Sequence, residues 1–187
     1  MGFSFTSLAV RGIARDAALP ILGLRGTNTQ EEIPESPITG AALPSGWYLV
    51  TANRDYPAFA EDAILKRLSQ TAQVVTCFVE EHVMCSAASL WADGRQVWFV
   101  MHEARQKIEH LETNGSLPPM FAPISERLRA EQAAAGGNKA TVDHIFDIPV
   151  EMVAQLTGYR HDRVMPGLGD RAFEILITTE ATPKRHS

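Results

Sequence analysis

Histidine and acidic residues crowd three short segments of the chain, Glu80-Glu81-His82, His102-Glu103 and Glu109-His110. A carboxylate beside an imidazole raises the ring's pKa towards neutrality, so the pair can take up and return a proton. That makes Glu81, His82 and His102 candidate general acid/base residues. Two histidines and a carboxylate also have the donor types for a divalent metal with open positions. The spacing matches no established ligand motif, and no metal or cofactor is assigned. Cys85 is a candidate of another kind. Opposite His102 on a neighbouring strand it would form a thiolate–imidazole nucleophile, which also needs a group to orient the ring and donors for an oxyanion. Each of these residues has a plainer reading. Charged residues at a strand end guard against edge pairing, and a cysteine between Val83 and Ala87 packs as a small apolar side chain.

A second set of residues suits binding rather than chemistry. Glu31, Glu32 and Glu35 lie in a stretch rich in Gly, Pro and Thr, Trp91 and Trp98 are large anchors, and Arg160-His161-Asp162 sits in a charged, glycine-rich segment. Aromatic anchors and complementary charge are what protein interfaces use. The chain carries 17 basic and 22 acidic residues, a net charge of −5. A balance on the acidic side argues against a nucleic-acid partner, which draws on clustered Lys and Arg. No P-loop, dinucleotide fingerprint, nucleophile elbow or HExxH helix is present, so nucleotide hydrolysis and α/β-hydrolase chemistry lose support.

The positioning elements follow from periodicity. The 187 residues suffice for one domain with a core that needs no disulfide. Strands are expected at 3–10, 47–52 and 73–84, helices at 15–24 (with Pro20 against it) and 58–69, and a long loop at 26–46. Asp93-Gly94 supplies the positive φ angles of a two-residue hairpin turn. Counting outward from that turn pairs Trp91 with Gln96, Ser89 with Trp98, Ala87 with Val100 and Cys85 with His102. Both faces of the hairpin are then partly apolar, so either helices cover each side or one face is a contact surface. Segment 107–112 reads as strand or helix. A helix follows from 119–123 to 134, a short strand at 142–146, a helix from Pro149 to Gly158, a last strand at 173–177 and a basic tail at 181–187. Strands joined by tight turns with single inserted helices give an α+β fold with a mainly antiparallel sheet.

The strings Gly46-Trp-Tyr-Leu-Val50, Val79-Glu-Glu-His-Val-Met84, Trp91-Ala-Asp-Gly-Arg95, Phe146-Asp-Ile-Pro149 and Leu156-Thr-Gly-Tyr-Arg-His-Asp162 resemble those of small uncharacterised bacterial cytosolic proteins. The resemblance implies no activity and no catalytic residue. No export signal or membrane span is read, and the expected location is the cytoplasm. The expected role is a protein that binds a protein partner and blocks or scaffolds it, as an immunity protein does to a toxin. The alternatives are a hydrolase-like enzyme using the Glu/His cluster and a ligand-binding module.

Overall fold

A computed structural model describes residues 2–53 and 57–179. Strand β1 (Ser4–Arg11) is buried along nearly its whole length because both of its faces are apolar or small. Leu8 and Val10 point to one side of the sheet, Phe5 and Ala9 to the other. A strand of this kind must lie inside a sheet that is covered twice. It pairs antiparallel with β4 (Tyr48–Asn53) and with β5 (Gln73–Glu80). Around this centre are β2 (Leu24–Glu31), β3 (Ile38–Ala42), β6 (Cys85–Ala92), β7 (Arg95–Glu103), β8 (Glu112–Gly115) and β9 (Phe173–Thr178). The nine strands run in the order β2-β9-β3-β4-β1-β5-β6-β7-β8, and every neighbouring pair is antiparallel.

Helices cover both faces. On one, α1 (Arg15–Ile21) and α2 (Asp62–Leu68) bury Leu19, Leu65 and Leu68 against Leu8, Val50 and Val74. On the other, α3 (Phe121–Ala134) and α4 (Asp147–Thr157) bury Ile124, Leu128, Ile148 and Met152 against Val75, Val79 and Val100. Gly158, with φ of 78°, ends α4 in the left-handed region and turns the chain back towards the sheet. No helix among the described residues is long and apolar enough to cross a membrane. The fold is α+β with an antiparallel sheet.

Four local expectations are corrected. Residues 26–46 are not one loop but carry β2 and β3. An edge strand tolerates breakers, and β2 absorbs Thr27, Asn28 and Thr29 in a register irregularity between Gly26 and Gln30, where Asn28 has φ of 61°. Pro34 and Pro37 fall in the connection 32–37. Residues 142–146 are irregular rather than a strand, and the 58–69 helix is split into a 3-10 turn (Ala58–Ala60) and α2 by an extended Glu61. Segment 104–110 is a run of turns leading to β8. The basic tail 181–187 lies outside the described residues.

The fourth correction concerns register. Asp93 and Gly94 have φ of 52° and 70°, and Ala92 faces Arg95 and Trp91 faces Gln96. Between Leu90 and Trp91 the register then shifts, and Leu90 faces Trp98. Every later pair moves by one: Ser89 with Phe99, Ala87 with Met101, Ser86 with His102 and Cys85 with Glu103. Cys85 and His102 therefore point to opposite faces of the sheet.

Gly40 shows how tightly the centre is packed. A Cβ there would lie 2.2 Å from the Tyr48 hydroxyl and 2.9 Å from Leu176 Cδ1. Gly40→Val is expected to cost about 1–3 kcal/mol in chemical denaturation. Gly169→Ala, whose Cβ meets nothing within 4 Å, is expected to stay within about 0.5 kcal/mol. Equal effects of the two changes would contradict this packing.

Candidate functional site

The Glu/His constellation separates into three unrelated environments. His102 is fully buried. Its Nδ1 lies 2.7 Å from the His110 carbonyl oxygen and its Nε2 2.8 Å from Asp143 Oδ2. Each ring nitrogen thus has an oxygen partner in the enclosed site. Asp143 Oδ1 in turn accepts the backbone N–H groups of Ile145 and Phe146, and the buried Ser86 hydroxyl donates to the Phe146 carbonyl at 2.7 Å. Ser86, His102 and Asp143 thus have the residue types of a hydrolytic triad but tie β6 and β7 to the start of α4. The hydroxyl is engaged away from the ring, and Ser86 and His102 have no exposed surface.

The other members of the constellation are elsewhere. Exposed His82 pairs with Glu80 at 2.7 Å. Hydrogen bonds from the Ser4 hydroxyl and then from His82 hold the Glu80 carboxyl below its ordinary range. Burial, then the Glu103 and Glu80 carboxylates, pushes the Cys85 thiol up, away from the thiolate a nucleophile needs. Burial pushes Cys77 up to about 12. Among the described residues no group of three His, Cys, Asp or Glu side chains could hold a metal ion. Trp91 and Trp98 are core residues on opposite faces, 7% and 1% exposed, so neither presents an anchor to a partner.

Glu81 belongs to a different place. β5 ends at Glu80, and the following turn sends Glu81 back to the start of β1, where its Oε2 accepts the Phe3 N–H at 2.8 Å. Its Oε1 is 3.8 Å from Nε2 of His161. The His161 ring stands edge-on to Phe3, centroids 4.8 Å apart, and tilted against Phe5 at 4.7 Å. Burial lowers the His161 pKa, with Arg160 acting in the same direction and Asp162, Glu81 and Asp147 opposing it. The surroundings of the ring therefore favour the neutral imidazole.

This ring lines a cleft of about 590 Å³ between the connection 32–37 and the segment 159–170, with Phe173 of β9 in its wall. Glu32, Glu35, His161 and Asp162 share it, although more than a hundred residues separate the two pairs in the chain. Glu31 and Arg160 brace it instead. Glu31 accepts both the N–H and the hydroxyl of Ser36, closing the connection on itself. Arg160, its side chain 9% exposed, holds Asp162 through Nε and Asp147 through Nη2, each at 2.7 Å. Burial opposes ionisation of Asp162, but the hydrogen bond and charge of Arg160 outweigh it and keep the carboxyl below its ordinary value.

Sequence reasoning missed the apolar part of the cleft. Phe3, Ile33 and Val164 are 47%, 57% and 96% exposed and all line it, with Tyr159, Met165 and Leu168 deeper. The available signal was Val164-Met165, an apolar pair inside a charged, glycine-rich segment, and Ile33 between glutamates. Comparison of the chain with protein-family models, curated proteins and solved structures returns no match, and the likeness of short strings to small bacterial proteins gains no support there.

Removing one partner of the enclosed His102–Asp143 pair leaves the other uncompensated. Asp143→Ala is expected to cost about 3–5 kcal/mol in denaturant unfolding, and a loss under about 1 kcal/mol would mean the pair does not tie α4 to the sheet. The lowered His161 pKa has a sign that can also be checked. The unfolded chain, with a histidine near the usual value of about 6.5, takes up a proton that the folded ring resists. This contribution to stability is present above that value and lost as pH falls below it. His161→Phe keeps the ring packing and removes the titration, so its melting temperature should fall less than the wild type's between about pH 7.5 and 5.5. Parallel losses would show that the ring is not held neutral by its surroundings.

Proposed function

We propose that the chain is a protein-binding module whose cleft receives an apolar segment with basic flanks from a partner. The observation that carries this reading is the clustering of exposed apolar side chains. Single exposed apolar residues are ordinary, but Phe3, Ile33 and Val164 come from three distant segments to ring one cavity. The rim around them is polar and on balance acidic, with Glu32, Glu35 and Asp170 set against Arg163. An apolar centre with a charged rim is the usual anatomy of a protein interface. The acidic rim would speed association with a basic partner and make it salt-dependent. A protein that blocks a toxin by covering its surface is one concrete form of this role.

The neutral His161 beside Glu81 at the cavity wall favours a second reading, acid/base chemistry on a small molecule. Glu81 stands 3.8 Å from the ring, without a hydrogen bond to orient it, which places this reading second.

Capture of partners from a native lysate on the immobilised chain separates the two. Under the first reading the wild type retains a stoichiometric protein that is released by salt. Ile33→Asp and Val164→Asp reduce its retention about tenfold or more with unchanged melting temperature. Retention unaffected by both changes, or no stoichiometric protein at any salt, would count against the binding role. Hydrolytic turnover that disappears in His161→Phe would favour the enzyme.

A further inference from the structure

The inner part of the cleft is chemically more selective than its rim. Tyr159 is 8% exposed and its hydroxyl has no hydrogen-bond partner among the described residues. The His161 side chain is likewise 8% exposed, and no hydrogen bond reaches its ring nitrogens among the described residues, with only Glu81 nearby at 3.8 Å. Two polar side chains, each more than nine-tenths enclosed, thus line one cavity with their polar atoms open to it rather than bonded to the protein. Such atoms are free to bond a guest. Their surroundings narrow which guest. Tyr159 meets Phe173 edge-on with centroids 6.3 Å apart, and Phe3 abuts His161, so four rings line the space. Burial keeps the Tyr159 phenol protonated, its pKa pushed up to about 12. The carboxylates of Glu32, Glu35 and Asp170 have no ion-pair partner among the described residues, and one unpaired cation, Arg163, stands with them.

We infer that this inner cavity receives an organic cation carried on an apolar body, in the bound partner a lysine-type alkylammonium with its apolar neighbours. Aromatic faces attract a cation through their quadrupoles. The phenol oxygen and the unprotonated nitrogen of His161 accept N–H groups, and the carboxylates at the mouth supply the counter-charge. An anion meets three carboxylates there, and a purely apolar guest leaves the enclosed polar atoms unpaired. The cavity's volume of about 590 Å³ lies within the range of small-ligand sites and holds an aralkyl or alkylammonium group with its neighbours. The inference rests on the partner-binding reading above and adds the chemistry of what enters.

The test uses the ¹⁵N-labelled full chain and follows the backbone amides of 32–35 and 159–170. Phenethylamine is compared with 2-phenylethanol, which has the same skeleton without charge, and with 3-phenylpropionate. Acetylated, amidated Leu-Lys-Leu is compared with Leu-Gln-Leu. The amine should give saturable shifts with a millimolar dissociation constant, at least about threefold tighter than the alcohol, and the carboxylate none. The double variant Glu32→Gln/Glu35→Gln should weaken the amine by about threefold or more and leave the alcohol unchanged. The lysine peptide should bind more tightly than its glutamine counterpart and than the free amine. An alcohol that binds as well as the amine, or shifts from no probe, overturns the cation assignment. The lysate capture of Val164→Asp judges the binding role separately, so the two failures are distinguishable. A free amine that outbinds the lysine peptide overturns the assignment to a partner's side chain and moves the cation's source to a small molecule.

Discussion

Burial of the sheet on both faces is the constraint from which the remaining architecture follows. β1 sits between β4 and β5 and sends Leu8 and Val10 to one helical layer and Phe5 and Ala9 to the other. Each large side chain fully removed from water contributes about 1.5–3 kcal/mol relative to exposure, so neither layer can be dispensed with. An antiparallel sheet usually leaves one side wet. This one instead recruits α1 and α2 on one side and α3 and α4 on the other. Two pairs of short hydroxyls inside it satisfy each other across strands, Thr39 with Thr51 at 2.7 Å and Thr76 with Ser89 at 2.6 Å.

The shift between Leu90 and Trp91 decides what the hairpin presents to each layer. Past that point Trp98, Val100 and His102 lie with Leu90, Ala88 and Ser86 on the α3/α4 side. His102 thereby reaches Asp143 and secures the start of α4, while Cys85 is left on the other side facing Glu103. A one-residue slip normally exposes apolar residues and is opposed by the hydrophobic pattern. Here both faces are covered, so either register buries apolar side chains. The alternation of residues therefore carries no information about the bulge, and the Cys85–His102 pair expected from simple counting does not form.

The same physics separates what was legible in the sequence from what was not. β1, β4, β5, α3, α4 and β9 announce themselves because long apolar periodicities are closed by local stop signals, such as Gly158 after α4. β2 and β3 do not. β2 is an edge strand, which needs neither continuous β-formers nor freedom from glycine, while β3 lies between β9 and β4 and its Gly40 is required by the Tyr48 side chain rather than by a turn. At 142–146, Asp143 uses its carboxylate to accept two backbone N–H groups, a local competitor to strand pairing that Val142, Ile145 and Phe146 conceal. In the cleft, Glu32, Glu35, His161 and Asp162 were visible as charge clusters. Phe3, Ile33 and Val164 were not, because no periodicity links single apolar residues on segments brought together only by the fold.

The walls of the cleft are held before anything enters it. On one side the Asn53 side chain donates to the carbonyls of Pro34 and Ser36 at 2.7 and 2.9 Å, and Glu31 closes the same connection through Ser36. On the other, Ser45 donates to the carbonyl of Thr157, and Arg160 clamps Asp162 to Asp147 in the first turn of α4. Glu81 fixes Phe3 from below through its backbone N–H. Ordering loops and side chains is a large cost of association, and here much of that order is already present in the free protein. For the proposed binding role, this makes the match of a guest to the rings and unpaired carboxylates weigh more than movement of the walls. Glu32, Glu35 and Asp170 take no part in the clamp of Arg160 or the Glu31–Ser36 closure, so the charge they give the rim can vary while those struts keep its shape.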